Sequence, residues 1–500
     1  MTAQRAIAVV LDGPDTPAWQ ARALARLRGA PALKVVELRL VERPRPGLSG
    51  RLHAAGERHV FEPGADPYAP VPAIEQIPAV AEAKLVVWLA EQPPPDREPR
   101  EVVSVRHNGR AESAEAAFTR AKVRGTPYVV SEVVLGGGDR SVAVERTTSA
   151  VGPASELVSR TLALWKLAEV VPRAVERLPG LDEPADPAER VDGAPSSAAL
   201  AFSDLASWVR APAARGLFHR PWRIWLRRRA ESPADGWYRD EGLVRWGDAR
   251  LYADPFLFEH EGRHHLFCEE VPRGAKQGVI SHTELRSDGI LADAPVPVLR
   301  ASFHLSYPGV FAHDGEIYMI PETTAARRIE LYRATGFPTV WRREAILLDD
   351  IRAADATIFA HGGRLWLFTA VAAEGASYSD ELHLFSADEV RGPWRAHPCN
   401  PVVSDVRRAR PAGAIQRRGS RIVRPAQDCS RRYGWALSFQ EIDALTESQY
   451  AEHEVERLEP EQLPAVRATH TYAADGAFEA IDVRKRELRL RSRARSLRQR

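Results

Sequence analysis

Residues 253–270 read ADPFLFEHEGRHHLFCEE, and the way this stretch folds decides the rest. Two short apolar runs, FLF and HLF, flank EHEGR, and an acid, Asp254, stands before a proline at the head. The pattern predicts a β-hairpin turning at Gly262, because glycine supplies the positive φ that a tight turn demands. It returns in YPGVFAHDGEIYMIPET (307–323), DATIFAHGGRLWLFTA (355–370) and PAGAIQRRGSRIVRPAQD (411–428), and more weakly in ATHTYAADGAFEAIDV (468–483). The turn glycines, Gly262, Gly315, Gly363, Gly419 and Gly476, are 53, 48, 56 and 57 residues apart. A repeat near 50 residues built of hairpins predicts an all-β five-bladed propeller over 236–485, around a central channel.

In a propeller the start of each innermost strand and the end of its neighbour share one mouth of the channel. Eight residues before the first four turn glycines stand Asp254, Tyr307, Asp355 and Pro411; seven after them stand Glu269, Glu322, Ala370 and Ala426. Asp254, Asp355, Glu322 and Glu269 are therefore the candidate catalytic residues, four carboxylates from blades 1, 2 and 3 at one mouth. His304, Tyr307, Arg410 and Arg424 are candidates for substrate binding beside them. A pair of carboxyl groups, one held protonated, is the chemistry of glycosidic bond cleavage. The competing reading is that Asp254 and Asp355 only cap strand ends. Trp366, Trp394 and Trp435 are more readily read as packing between blades than as sugar platforms.

At 500 residues the chain is too long for one ordinary core, so two domains are expected. No run of about 18 apolar residues predicts a transmembrane helix, and no signal peptide is evident in MTAQRAIAVVLDG. Cys268, Cys399 and Cys429 are scattered and odd in number, which predicts reduced thiols and neither a disulfide framework nor a zinc site. No metal ligand set stands out, so no metal is named, and the cofactor is unknown. The expected location is cytoplasmic or membrane-peripheral. Residues 484–500, RKRELRLRSRARSLRQR, carry nine Lys and Arg against Glu487. Such a basic tail (486–500 beyond the propeller) fits an anionic membrane surface; its lack of aromatics speaks against nucleic acid as a partner.

Residues 1–178 predict an α/β domain with a mainly parallel sheet. AIAVVLD is a strand; DTPAWQARALARLRGA is a helix with Thr16 as N-cap, Pro17 at its first position and Gly29 at its end; LKVVELRL is the next strand. Further strands are expected at 84–90 and 101–107, a helix at 155–175, and a hairpin turn at LGGGDRS (135–141). LDGPDTP has a single glycine, so a dinucleotide site is not expected. Residues 179–235, rich in Pro, Ala and Asp, read as a linker. Within and after it, RPWRIWLRRR (220–229) and GWYRDEGLVRWGD (236–248) restore strands, one of which is expected to close the ring with the last blade.

Two resemblances add to this. On AVVLDG…PAWQARALARL, EVVSVRHNG and AKVRGTPYVVSEVVLGGGDRS, residues 1–175 resemble the formyltransferase fold. That resemblance implies a site of an asparagine, a histidine and an acid. Here His107 and Asn108 come in altered order and spacing, with Asp139 as the available acid, which implies a degenerate site in a domain kept for packing or binding. On YADPFLFEHEG, LSYPGVFAHDGEIYMIPET, DATIFAHGGRLWLF and RPAQDCSRRYGWAL, residues 236–485 are similar to the N-terminal propeller of glucosamine inositolphosphorylceramide transferases. They also resemble the five-bladed family 43 and 32 glycoside hydrolases. The hydrolase resemblance implies a base or nucleophile at Asp254 and an orienting acid at Asp355. Its blade-4 general acid is missing, since Arg410-Pro411 stands there; Glu322 is the best substitute and Glu269 the next.

Together these readings predict a carbohydrate-processing protein that acts on a glycan or glycolipid, by glycosyl transfer or hydrolysis, through the acidic mouth of its propeller. Its partner would be a glycan or a sugar-containing small molecule. The alternatives are a non-catalytic glycan-binding module in polysaccharide biosynthesis and a sugar N-formyltransferase.

Overall fold

The computed structural model describes residues 4–13, 15–42, 65–71, 77, 82–95, 98, 100–137, 140–153, 155–178, 218–219, 222–230, 232, 237, 249–287, 289, 291–485 and 487–488. Asp139, most of the 179–235 stretch, all of 236–248 but Trp237, and most of the basic tail lie outside them. The chain divides into two compact units, Met1–Ala211 with Ala373–Ser377 and Pro212–Ala372 with Tyr378–Arg500. No helix among the described residues is long and apolar enough to cross a membrane.

The first unit is built on a six-stranded mixed sheet. Arg5–Gly13 lies between Leu33–Glu42 and Leu85–Trp88, both parallel to it, and Glu101–His107 extends the parallel set. Tyr128–Gly137 and Arg140–Ala150 then add antiparallel, as the hairpin predicted at LGGGDRS. The expected parallel sheet is thus four strands of six. The first strand reads as a buried run because both faces are buried, Ile7, Val9 and Leu11 against the helices and Ala8 and Val10 among side chains of the neighbouring strands. The helix Ala18–Gly29 starts after Pro17, but Thr16 does not cap it; the Thr16 hydroxyl donates to the Asp12 carbonyl instead, at 2.9 Å. The helix Ala114–Arg124 was not foreseen. Its signals are a Ser113 cap that accepts from the Ala116 amide and a left-handed Gly125 at its end. The long helix Glu156–Arg177 is capped by Ser155 and buries Leu164, Leu167, Val171 and Val175 in the unit's core.

The second unit is the five-bladed propeller. Blade 1 runs Leu251–His260, Arg263–Val271, Val279–Leu285, Val296–Leu299. Blade 2 runs Ser306–His313, Glu316–Glu322, Ile329–Gly336, Val340–Leu348. The main strands of blade 3 are Ala353–His361, Arg364–Val371 and Glu381–Ala387, and those of blade 4 are Arg421–Asp428, Ala436–Leu445 and Tyr450–Leu458. Blade 5 joins Phe478–Lys485 to Trp222–Arg228 in register from Trp222↔Arg484 to Arg228↔Phe478. The ring is therefore closed by a strand from before blade 1. That strand falls inside the 179–235 stretch read as linker, within the RPWRIWLRRR segment expected to supply a strand. Four turn glycines adopt the positive φ expected of them; Gly476 does not, and the last hairpin turns through Asp475, whose carboxylate takes the Ala477 and Phe478 amides at 2.8 Å.

The innermost strands carry the feature that builds the mouth. Each of the first three is interrupted by a bulge, between Ala253 and Phe256, Ser306 and Gly309, and Ala354 and Thr357. At these bulges Asp254, Tyr307 and Asp355 all have left-handed backbones, with φ of 49°, 46° and 56°. For a side chain other than glycine this is uncommon, and before a proline, as at Asp254 and Tyr307, it is disfavoured again. Strain of this kind costs on the order of 1–3 kcal/mol per residue and persists where surrounding bonds fix it. In blade 4 the innermost strand breaks outright, between Arg410–Pro411 and Gln416–Arg418, and Gly413 takes the positive φ.

Candidate functional site

The bulges turn Asp254 and Asp355 out of their ladders, and their carboxyl groups meet partners from other blades. Asp254 accepts the Thr471 hydroxyl at 2.7 Å and the Tyr307 amide at 3.2 Å. Asp355 accepts Arg410 Nε at 2.6 Å and Gln427 Nε2 at 2.9 Å. Arg410 also reaches Glu322, at 3.4 Å. Glu269 pairs with His304 at 3.1 Å, and the Glu269 bond raises the His304 pKa. The charges of Glu269 and Asp355 act on Asp254, and those of Asp355 and Asp254 act on Glu322. The four predicted carboxylates therefore do share one mouth.

Their environments differ. Burial pushes the Asp254 carboxyl up to about 7, opposed by the His470 charge and helped by Glu269, Asp482 and Asp355. Burial, with the charge of Asp355 beside it, drives Glu322 well above the ordinary carboxylate range, against the pull of Arg410. Arg410 is buried, which opposes its charge, yet Asp355 and Glu322 hold it firmly cationic.

Tyr307 is fully buried, and its hydroxyl shares a 2.9 Å bond with Thr357 and takes the Gly413 amide at 2.6 Å. It ties blades 2, 3 and 4 together beneath the mouth, a bracing role in place of the expected contact with substrate. Arg424 does not join the site. It is 1% exposed and clamped to Glu452 at 2.7 and 2.9 Å, two strands out in blade 4. The period-2 alternation of Arg421–Asp428 turns it away from the channel. Trp366 and Trp435 are buried and Trp394 packs against the core, as expected of them.

In the first unit, His107 is buried and bonded through Nδ1 to the Ser131 hydroxyl at 2.9 Å; burial pulls its pKa down to about 4. Asn108 has φ of 49° and bonds Val130 through both its amide and its side-chain oxygen, at 2.7 and 3.0 Å. Its polar reach is spent on the crossing to the next strand.

Sequence reasoning missed the blade-5 corner. His470 and Asp482 are both buried, and His470 Nδ1 lies 2.5 Å from Asp482 Oδ2. His470 Nε2 lies 3.8 Å from Asp254 Oδ1. Burial opposes charge on His470, but Asp482, Asp254 and Asp355 together raise it to about 9. The signal that could have found it is THT at 469–471, three residues where an alternating strand should continue. Tyr433 was also missed. It is 47% exposed, meets His470 edge-on at 5.3 Å, and has the Arg410 guanidinium 5.1 Å from its ring centre. Gly434 permits this, since a Cβ there would come within 2.6 Å of His470 Cβ.

Among the described residues, one grouping of donor atoms is compact enough to compare with a cation site: Asp254, His470 and Asp482, within 4.8 Å of one another. Within it His470 faces Asp482, and Asp254 accepts the Thr471 hydroxyl.

Comparison with known proteins follows the propeller. Among solved structures, a family 117 glycoside hydrolase of Zobellia galactanivorans is similar over 53% of this chain and 90% of its own, at 12% identity and a TM-score of 0.35. Over 207 residues, 41% of this chain, the sequence is 33% identical to glucosamine inositolphosphorylceramide transferase 1 of Oryza sativa subsp. japonica. It is 32% identical over 210 residues to the Arabidopsis thaliana protein of that name. The matched segment spans 28% of the rice relative's length and 27% of the Arabidopsis one's. Residues 247–474 match the family model described as glucosamine inositolphosphorylceramide transferase 1, N-terminal.

Proposed function

We propose that the chain acts on a sugar-containing substrate, a glycan or a glycolipid head group, at the acidic mouth of the propeller, and that the reaction is transfer or hydrolysis at a glycosidic bond. The observation that carries this reading is the division among the mouth carboxyls. Glu322 is driven well above the ordinary carboxylate range by burial and by Asp355, Asp254 is raised to about 7, and Asp355 is paired with a buried guanidinium. Glycosidic cleavage needs a proton on the leaving oxygen and a carboxylate on the opposite side of the anomeric carbon. Glu322, the carboxyl that favours its proton, is assigned the acid's part; Asp254 supplies the carboxylate once ionised, and Asp355 with Arg410 orients Glu322. Tyr433 offers an exposed ring for a sugar face. The relatives' name, glucosamine inositolphosphorylceramide transferase, favours a glycolipid among these substrates.

The test is turnover by the purified full chain on a panel of nitrophenyl glycosides and nucleotide sugars, with Glu322→Gln and Asp254→Asn beside it. Release of nitrophenol or nucleotide, lost in both variants, supports the reading. Unchanged release by either variant overturns the role given to that residue. A second reading, glycan binding without turnover, is favoured by the bonds that already engage Asp254 and Asp355. Binding on a glycan array, sensitive to Asp254→Asn and with no turnover on any donor, would establish it.

A further inference from the structure

The Asp482 carboxylate holds the blade-5 corner with four bonds. Oδ1 accepts the amides of His470 and Thr471, each at 3.0 Å; Oδ2 accepts the Asp254 amide at 3.0 Å and faces His470 Nδ1 at 2.5 Å. One carboxylate thus fixes both the left-handed backbone of Asp254 and the ring of His470. The ring is held from a second side by Trp222, stacked on it at 4.0 Å with 7° between planes. Trp222 begins the ring-closing strand and pairs with Arg484, two residues beyond Asp482. Without that strand the imidazole would lose its stacking face.

We propose that His470 is a positioning residue for Asp254: oriented by Asp482 and by Trp222 of the closing strand, it presents Nε2–H to the Asp254 carboxylate and so couples closure of the ring to the state of the acid on blade 1. This rests on the reading of Asp254 as the reactive carboxylate. The groups facing the imidazole are Asp482 from its own blade, Asp254 from blade 1, Asp355 from blade 3 and Tyr433 from the blade-4 loop. Arg484 sits 5.8 Å from the Trp222 ring centre. The three carboxylates favour the imidazolium, which in turn opposes the effect of burial on Asp254. Nothing passes between the two residues but charge and a fixed N–H; no bond is made or broken.

The experiment is NMR titration of the full chain carrying ¹³C-labelled histidine ring and aspartate carboxyl carbons, assigned by substitution. In the wild type the His470 ring should titrate near 9. In His470→Gln the Asp254 carboxyl should titrate about one unit or more higher than in the wild type. In Trp222→Phe, which keeps a stacking face, both should stay within about half a unit of the wild type. An ordinary His470 titration near 6.5, or an Asp254 titration that His470→Gln leaves in place, overturns the proposal. Asp482→Asn keeps one acceptor oxygen but removes the charge that faces His470 Nδ1, and it is read only by the His470 ring, which should titrate lower. The glycosidic reading is separated by activity. Where a donor is turned over, His470→Gln should move the acidic limb of kcat/KM to higher pH with KM little changed. Failure of every donor, with the titrations as described, removes the glycosidic reading and leaves the coupling of His470 to the Asp254 carboxyl standing.

Discussion

Both units bury histidines, and His107 at a strand end of the first and His470 at the propeller mouth are opposites, while His282 on the third strand of blade 1 is lowered by burial as His107 is. His107 has a serine hydroxyl for a partner and a pKa pulled down to about 4 by burial. His470 is equally buried but has Asp482 at 2.5 Å and two further acids in range, and it is raised to about 9. Burial alone neutralises an imidazole; burial among carboxylates charges it. The difference shows where each unit keeps its polar groups. In the first they finish a sheet, with Asn108 bridging strands. In the second they converge from blades 1, 2, 3 and 5 on one mouth, with the backbone of Asp254 and Asp355 held in a disfavoured conformation to bring them there.

The largest effect that separates the two regions is on turnover. Asp254→Asn and Glu322→Gln should each lower kcat/KM on any donor the chain accepts by about 10³-fold, within the range for loss of a positioned acid or base. His107→Gln should leave it within about twofold per folded molecule, since Brønsted efficiency at neutral pH is poor for a group with a pKa near 4. The wild-type kcat/KM should rise with pH through about 7 as Asp254 ionises. A loss with His107→Gln equal to that with Asp254→Asn would move the chemistry to the first unit.

Stability against pH sharpens the same contrast, with the sign set by each shift. His107 is depressed from 6.5 to about 4, so the folded state resists its protonation; stability is lost as pH falls from 6.5 toward 4, by about 3 kcal/mol at most. His470 is raised from 6.5 to about 9; its contribution is full below 6.5 and lost as pH rises through 9, on the same order. Asp254, raised from 3.8 to about 7, likewise favours the fold below 3.8 and ceases to as pH rises through 7. Denaturant melts from pH 4 to 10 should therefore show His107→Gln flattening the acid side and His470→Gln the alkaline side. Asp254→Asn at pH 8 should stay within about 1 kcal/mol of the wild type, because it removes a buried ionisation while leaving one acceptor oxygen for the Thr471 hydroxyl and the Tyr307 amide. A collapse of that variant would return Asp254 to a structural role.

Much of the propeller was legible because its signal is local and repeated. A turn glycine and two flanking apolar runs fix a hairpin, and counting from the glycine placed Asp254, Asp355, Glu269 and Glu322 correctly. The count failed where the innermost strand breaks. In blade 4 it landed on Pro411, while the positive φ falls at Gly413. Arg424 was misplaced because strand alternation, and not distance from the turn, decides which face a residue takes. His470 and Asp482 were invisible for a different reason: their meaning depends on a strand more than 200 residues away, Trp222–Arg228, that supplies the stacking ring. In the first unit the strands read well as apolar runs, whereas Ala114–Arg124, poor in large apolar residues, gave little helical signal beyond its caps.

The smallest expected effect concerns aromatic exposure. In the first unit Trp19 and Trp88 are turned inward, at 5% and 9% exposure; at the propeller mouth Tyr433 is open at 47%. An exposed aromatic face beside His470 and the Arg410 guanidinium suits the apolar face of a sugar ring. Tyr433→Ala should weaken substrate or glycan binding by about tenfold, near 1.4 kcal/mol, within the range for an aromatic contact. Tyr433→Phe should keep most of it, because the ring supplies the face. A KM that rises with kcat unchanged would mark a contact made equally in ground and transition states. Because Tyr433 also meets His470 edge-on and lies over Arg410, Tyr433→Ala carries a second readout. If the ring only seals the corner, the pH profile should move while binding stays put. If the ring is a platform, binding should fall while the profile holds.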